Sequence, residues 1–588
     1  MTIAGFDETV DFVVVGSGGG SMCAGLVMRD AGHSVLILEK TDLVGGTTAR
    51  SGGVMWIPNN PIMRRAGVAD SDDAALRYLA ALGAGKADAP GGTPQRQRRY
   101  VTAASRMIGF LQAQGIALDR IADWPDYHDE IAGGSAASRT VVAKLFDVNE
   151  LGAWKARLRP SFIVAPVTLM PWPFPKLMAA AGIHFLPAAL EEMMELAYVS
   201  RSWKIKLLAL RVVLRGIVAR LLGRQLVAGG AALQGRMLQA ALRAGVEIRT
   251  GSPVDELIVD NGAVAGVRTT KDGKPWRVAA RLGVLVNAGG FARNQAMRDR
   301  YAPGTSVQWT MATPGDTGEM IEEMMRIGAA TAQMEERVGN QQTLPPGAEL
   351  SEAKPTAQAM TASPHCILVD RSGVRYMNEG GSYMAYCQGM LERDKTVPAV
   401  PSWAIFDSQY LRKYMFAGTL PGTRKPQQWF DSGYLKQAAS IAGLAQQIGV
   451  APDVLEATVA RFNSFVRNNR DEDFGRGARA YDRWLGDPFN APSPTLGSIE
   501  QAPFHAVPVV PGDVGTYGGV VCDEHARVLR ADGSVIAGLY ATGVSTASVM
   551  GRSYPGAGSS VGPSFTWGYV AARHAAGLGA DRDADRDD

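Results

Sequence analysis

The sequence predicts an α/β fold in which one parallel-sheet domain is assembled from separated stretches of chain and an α+β domain is inserted into it. Three observations point there. A strand–glycine turn–helix–strand unit opens the chain. Strand-to-glycine turns of the same kind return near residues 290 and 543. Finally, 588 residues exceed what one ordinary core organises.

The opening unit begins with Asp11 to Val15, a β-branched run that stops at Gly16 as a buried parallel strand does. Met22 to Ala31 follows in helical pattern and ends at Gly32. Ser34 to Leu38 is a second buried strand, closed by Glu39. Such a βαβ unit crosses over right-handed by default. Gly245 to Thr250, Ala263 to Thr269 and Leu282 to Asn287 read as further strands, the last running into Ala288-Gly289-Gly290. Gly538 to Ala541 runs into Thr542-Gly543, and Ser564 to Ala576 closes the domain as a helix. The parallel-sheet domain is therefore expected in 1–150, 225–295 and 501–578, with the inserted domain in 296–500. Residues 151–224 form an apolar and basic excursion, and the polar tail 579–588 is expected to be disordered.

Composition excludes several classes. A net charge of +3 gives no ground for nucleic-acid binding. The four cysteines, Cys23, Cys366, Cys387 and Cys522, form no CxxC pair, so neither a zinc site nor a disulfide framework is indicated and a reducing, cytoplasmic setting fits. His33, His184, His365, His505 and His525 have no metal-ligand spacing, and no metal is expected. The first eleven residues carry acids and no basic n-region, which argues against a secretory signal. No charge-free run reaches the ~20 residues a bilayer span needs.

The excursion stands apart. Between Pro160 and Leu190 the only charged residue is Lys176, and Pro166, Pro171, Pro173, Pro175 and Pro187 prevent one long helix. Ser202 to Arg224 then mixes Ile, Leu and Val with Lys204, Lys206, Arg211, Arg215, Arg220 and Arg224, the bases falling on two sides of a helix. Two readings stand: a domain-covering excursion with a solvated basic helix, or a peripheral membrane contact through 160–224 that collects an apolar substrate.

The glycine turns carry the cofactor assignment. Gly16-Ser17-Gly18-Gly19-Gly20-Ser21 lies between the first strand and its helix, where Gly16 permits a tight turn and Gly18 lets backbone approach a pyrophosphate at the helix N-terminus. Glu39, about 20 residues on, is placed to bind ribose hydroxyls. Glu39-Lys40 then runs into Gly45-Gly46-Thr47-Thr48-Ala49-Arg50-Ser51-Gly52-Gly53. A nicotinamide enzyme has no use for a second glycine-rich loop so soon after the ribose acid. A flavin does, because its ribityl chain and ring system extend beyond the pyrophosphate. With Ala288, Gly289, Gly290 and Gly543 at later strand ends, this reads as a Rossmann-type FAD-binding domain; Val254, Ser559 and Val561 are assigned to the cofactor as well. The loop Gly45 to Gly53 has no histidine, so FAD is expected to be bound noncovalently.

Within this arrangement the chain resembles the flavoprotein family of fumarate reductase and succinate dehydrogenase. Ser548-Val549-Met550-Gly551-Arg552-Ser553-Tyr554-Pro555-Gly556-Ala557-Gly558-Ser559-Ser560-Val561-Gly562-Pro563, with Leu38-Glu39-Lys40-Thr41-Asp42 and Gly45-Gly46-Thr47, is similar to the signature of 3-ketosteroid Δ1-dehydrogenases. The resemblance implies 1,2-dehydrogenation of a steroid or sterol 3-ketone. Tyr554 and the Gly558 N–H would bind the keto oxygen and steady the enolate that forms when the α proton leaves. Arg375-Tyr376-Met377-Asn378-Glu379-Gly380-Gly381-Ser382-Tyr383 resembles the family's base-bearing stretch and assigns Tyr383 as base, with Tyr386 as a competitor. Asp126-Tyr127-His128, ahead of Gly133-Gly134-Ser135, assigns Tyr127 as the helper tyrosine, a surface aromatic being the plainer reading. The base takes the proton at carbon 2, a hydride passes from carbon 1 to flavin N5, and the electron acceptor stays unidentified. Alternatives are a 3-ketosteroid 4,5-dehydrogenase, a fumarate-reductase-like enoate reductase using Arg552 on a carboxylate, and a flavin-free binding protein on the same scaffold.

Overall fold

In the computed structural model, residues 3, 5–162, 164–166, 176, 185–199 and 201–579 are described; Pro171, Pro173, Pro175, His184 and the tail from residue 580 lie outside them. The expected βαβ unit is present as the strand Glu8–Val15, the helix Gly19–Asp30 and the strand Val35–Leu38. Its helix starts three residues earlier than the apolar pattern suggested. Gly19, Gly20 and Ser21 form its first turn because close packing, not loop freedom, is what they supply. A Cβ on Gly20 would sit 2.3 Å from the Ser564 carbonyl oxygen of the closing helix Val561–Ala575.

Five strands run parallel in the order Glu247–Arg249, Val35–Leu38, Glu8–Val15, Lys274–Val286 and Val535–Ala541. Lys274–Val286 belongs to two layouts at once. Its first half pairs antiparallel with Ala263–Lys271, which pairs in turn with Val254–Asp260, and its last three residues pair with Leu539–Ala541. The strand Val254–Asp260 is not among those expected from the sequence; its apolar residues do not alternate with polar ones, and only Leu257 is buried. Helices Gly19–Asp30, Gly229–Arg243 and Val561–Ala575 cover one face of the sheet.

The inserted domain centres on an antiparallel sheet ordered Cys366–Val369, Ser402–Phe406, Phe504–Val509, Lys436–Ala438. One of its strands, Phe504–Val509, comes from beyond residue 500. The helix Tyr383–Asp394 begins one turn after a buried ion cluster in which Arg375 bridges Glu379 and Asp471 at 2.8 and 2.9 Å. Charges removed from water in this way persist only when fully paired, and here they fix the start of the helix that carries Tyr383.

The excursion holds the helix Trp203–Leu221. It presents small and β-branched residues inward (Ile205, Val212, Val213, Gly216, Ala219) and large ones outward, Trp203 at 78% and Leu221 at 80% exposure among them. No helix among the described residues is long and apolar enough to cross a membrane.

Candidate active site

A cavity of about 1490 Å³ runs between the glycine turns and the inserted domain. That exceeds the roughly 300–1,000 Å³ of a pocket for one drug-sized ligand and leaves room for a dinucleotide and a second molecule. Gly16, Gly18, Glu39, Lys40, Gly46, Thr47, Thr48, Ser51, Gly52, Val254, Ala288, Gly289, Gly543 and Val561 line it, as expected for a cofactor wall. Gly16 has φ +90°, and a Cβ there would meet the Asn287 carbonyl oxygen at 2.3 Å, so no other residue fits the turn. Glu39 accepts from the Ser17 N–H at 3.2 Å and Ser17 Oγ at 2.5 Å, and from Thr41 at 2.8 Å, which locks the ends of the first two strands together.

Seven residues expected at the cofactor do not line the cavity, and each has a packing reason. Gly19 abuts Phe565, Gly20 abuts Ser564, and Ser21 Oγ accepts from Asn287 Nδ2 at 2.9 Å. Gly45 is left-handed and its N–H donates to Ser17 Oγ at 3.0 Å. Gly53 lies against Gly229 and Gly230, Gly290 donates its N–H to Asp316, and Ser559 closes the turn with Gly556. They shape the wall from behind.

The backbone turns fit a flavin dinucleotide: a helix N-terminus at Gly18, a carboxylate at Glu39, and a second glycine loop whose Gly46 comes within 3.8 Å of the Gly18 Cα if given a Cβ. When bound, FAD supplies a two-electron acceptor.

The opposite wall is aromatic. Tyr127, Tyr383 and Tyr554 all line the cavity and converge, with ring centroids 5.2 Å apart for Tyr127–Tyr383, 5.0 Å for Tyr383–Tyr554 and 6.0 Å for Tyr127–Tyr554. Tyr127 is 1% exposed, so it is no surface aromatic. Tyr386, one turn along the helix, packs instead into the inserted domain's core and is not on the cavity wall. Tyr383 stands close enough to both Tyr127 and Tyr554 for each ring to influence its ionisation. Tyr554 also shares a 3.0 Å hydrogen bond with Ser560 Oγ. Gly558 has φ +91°, a Cβ there would meet the Val54 carbonyl oxygen at 2.3 Å, and its N–H finds no partner among the described residues.

Sequence reasoning missed Tyr481. Its ring lies 4.3 Å from that of Tyr127, and its hydroxyl accepts from Gln358 Nε2 at 2.7 Å. No local motif marks it. The signal is spatial: Asp129, two residues after Tyr127, accepts from the backbone N–H groups of Ala480 and Tyr481 at 3.0 Å, so one loop places both tyrosines.

That loop is itself tied to the Tyr554 loop. The Tyr127 N–H and the Tyr78 hydroxyl both donate to the Pro555 carbonyl, at 2.8 and 2.7 Å. Asp126 accepts from Trp56 Nε1 at 2.7 Å and from Arg139 Nη1 at 2.8 Å, with Arg139 held in turn by Asp70. Burial pushes Asp126 up to about 6, against the pull of Arg139 and the Trp56 bond.

Burial likewise holds Tyr383, Tyr127 and Tyr554 above the usual tyrosine range, and neighbouring tyrosines add to it for the first two. For Tyr554 the bond with Ser560 and the neighbouring Tyr383 oppose the burial. At rest the cluster is neutral.

Arg552, the residue an enoate reductase would aim at a carboxylate, is not on the cavity wall. It pairs with Glu335 and with Glu336 at 3.0 Å.

Comparison with known proteins places the chain among flavoproteins. The family model described as FAD binding domain matches residues 11–561. The chain is 36% identical to a 3-oxosteroid 1-dehydrogenase of Mycobacterium tuberculosis, over 98% of this chain and 99% of the relative. It is 33% identical to a 4-oxocyclohexanecarboxylate 2-dehydrogenase of Sinomonas cyclohexanicum, over 98% and 94%. The crystal structure of 3-ketosteroid delta1-dehydrogenase from Sterolibacterium denitrificans, in complex with 1,4-androstadiene-3,17-dione, aligns with TM-score 0.85 and 32% identity, over 97% and 100%.

Proposed function

Because this chain belongs to the FAD-binding flavoprotein family that includes the 3-oxosteroid 1-dehydrogenases, we propose that it removes hydrogen across the 1,2 bond of a 3-ketosteroid, converting a 3-keto-4-ene into a 1,4-dien-3-one. The observation that carries this reading is the convergence of Tyr383, Tyr127 and Tyr554 with the free Gly558 N–H on one wall of a cavity whose other wall fits FAD.

Tyr554 and Gly558 donate to the 3-keto oxygen, so charge developing there in the transition state meets two prepositioned donors. Carbon 2 is thereby acidified, and Tyr383 takes its proton. A neutral tyrosine can accept a proton only if its own moves on. Tyr127 and Tyr481 lie in sequence along that path, from which the proton passes to solvent in the cavity that Tyr481 lines, while Gln358 Nε2, itself a donor, only orients Tyr481.

The membrane-contact reading of 160–224 also gains support. Trp203, Leu207, Leu210, Leu214, Ile217 and Leu221 recur at spacings of three and four on the exposed side of the helix, opposite its buried face. Lys204, Lys206, Arg211 and Arg220 flank this stripe on both sides, while Arg215 is held by Glu192 at 2.6 Å. An apolar stripe between two rows of long cationic side chains suits the plane of an anionic lipid surface. Ser202, Lys204 and Ile205 border the cavity, so a sterol leaving the lipid would reach it directly.

The reading is tested by incubating the yellow protein with androst-4-ene-3,17-dione or cholest-4-en-3-one and an artificial acceptor. A loss of two hydrogens giving the 1,4-dien-3-one is expected. A product unsaturated elsewhere, or no turnover despite bound FAD, overturns it.

A further inference from the structure

Two arginines on the cofactor wall have no role in the account so far. Arg50 ends the helix Gly46–Arg50 and is 6% exposed. Its Nη2 meets Glu352, and its guanidinium stacks 4.5 Å over Phe162, yet its Nε and Nη1 have no hydrogen-bond partner. Arg159 is 7% exposed. It donates through Nη2 to Thr41 Oγ1 at 2.9 Å and the Leu43 carbonyl at 3.3 Å, while its Nε is unpartnered. Both line the cavity. A buried guanidinium N–H without an acceptor is costly, and these two stand close enough to repel. Burial, then Arg159 and Arg293, lowers Arg50 to about 10. The arrangement calls for an anion between them.

Their positions say which anion. Arg50 ends the short helix that starts at Gly46, and Gly46 abuts Gly18 at the start of the first helix. Arg159 is tied to Thr41, whose N–H and hydroxyl both hold the ribose acid Glu39. The stretch between Glu39 and Gly18 is where the diphosphate of a dinucleotide runs.

We propose that Arg50 and Arg159 hold the diphosphate of FAD, adding two charge-assisted contacts to the helix N-terminus at Gly18. Guanidinium forks suit phosphate oxygens. The proposal rests on the flavin reading of the cavity and assigns the charge recognition within it to two residues outside the glycine motifs.

The test uses apoprotein titrated with FAD and with riboflavin, which lacks both phosphates, following flavin fluorescence. Arg50→Met and Arg159→Met should each weaken FAD about tenfold and leave riboflavin unchanged. The salt dependence of FAD binding should fall, and Arg50→Lys should recover part of the loss. Circular dichroism of each apoprotein controls for folding, and if one variant misfolds the other still decides. Unchanged FAD affinity overturns the proposal, as does an equal loss for riboflavin or an effect confined to the substrate KM. Wild-type apoprotein that binds no FAD would instead defeat the flavin reading itself.

Discussion

The two walls of the cavity are built by opposite means. The flavin wall is backbone: Gly16, Gly18, Gly46 and Gly289 let main chain approach closely, and neighbouring carbonyls leave no room for a side chain at Gly16. The opposite wall is side chain: the buried Tyr127, Tyr481 and Tyr554 and the half-buried Tyr383, from four separate segments, held in place by Asp126, Asp129 and the Pro555 carbonyl. The first wall fails if one atom is added. On the proposed chemistry the second should fail if one hydroxyl is removed, with the cofactor still bound. Substitutions should therefore separate binding from chemistry.

The largest effect is expected on the tyrosine side. Tyr554→Phe removes one of the two donors proposed for the keto oxygen, and kcat should fall by about 10²–10³. The flavin spectrum of the purified protein should be unaltered, and a loss of bound flavin would break the division between walls. On the other side, Gly16→Ala forces a Cβ onto the Asn287 carbonyl at a left-handed position, a conformation costing roughly 1–2 kcal/mol before any clash. The 450 nm to 280 nm absorbance ratio should drop, while the flavin-loaded fraction keeps near-normal turnover.

Smaller effects sharpen the tyrosine side. Tyr481→Phe removes the outer hydroxyl of the proposed path and should cost about tenfold in kcat. The pH profile reports the same relay. Burial holds Tyr383 above the usual ~10, and the proposed base acts as its phenolate. Activity should then climb with pH, about tenfold per unit where proton removal limits, and show no plateau below pH ~10. Tyr383→Phe should flatten that rise. The smallest effect concerns the excursion. Leu207→Ser with Leu214→Ser should reduce co-sedimentation with anionic vesicles several-fold and barely change turnover of a soluble androstenedione.

The same division explains what could be read before the structure. The flavin wall was legible because its determinants are local: Gly16 with Glu39, and Gly45 with Gly46, lie a few residues apart on elements whose period shows in the sequence. Even there, Gly19, Gly20 and Gly290 are glycines for helix and loop packing rather than ligand contact, a distinction spacing alone does not make. Tyr383, Tyr127, Tyr554 and Gly558 came from resemblance to a family, and the structure brings them together. Tyr481 was invisible, because it joins Tyr127 only through the fold. Arg50 was in plain view inside the second glycine loop, but an unpartnered guanidinium is a property of three-dimensional surroundings. The two rows of bases on the helix Trp203–Leu221 looked like imperfect amphipathicity until the buried face was known; the exposed apolar stripe lies between them.

The most direct test of the central claim is an anaerobic single turnover, with wild type and Tyr383→Phe each mixed with a 3-keto-4-ene steroid and flavin absorbance followed in time. Wild type should bleach its flavin and yield the 1,4-dien-3-one. Tyr383→Phe, with FAD and steroid still bound, should bleach at least about 100-fold more slowly. Equal bleaching rates in the two proteins would contradict the claim that Tyr383 takes the proton whose loss opens the reaction.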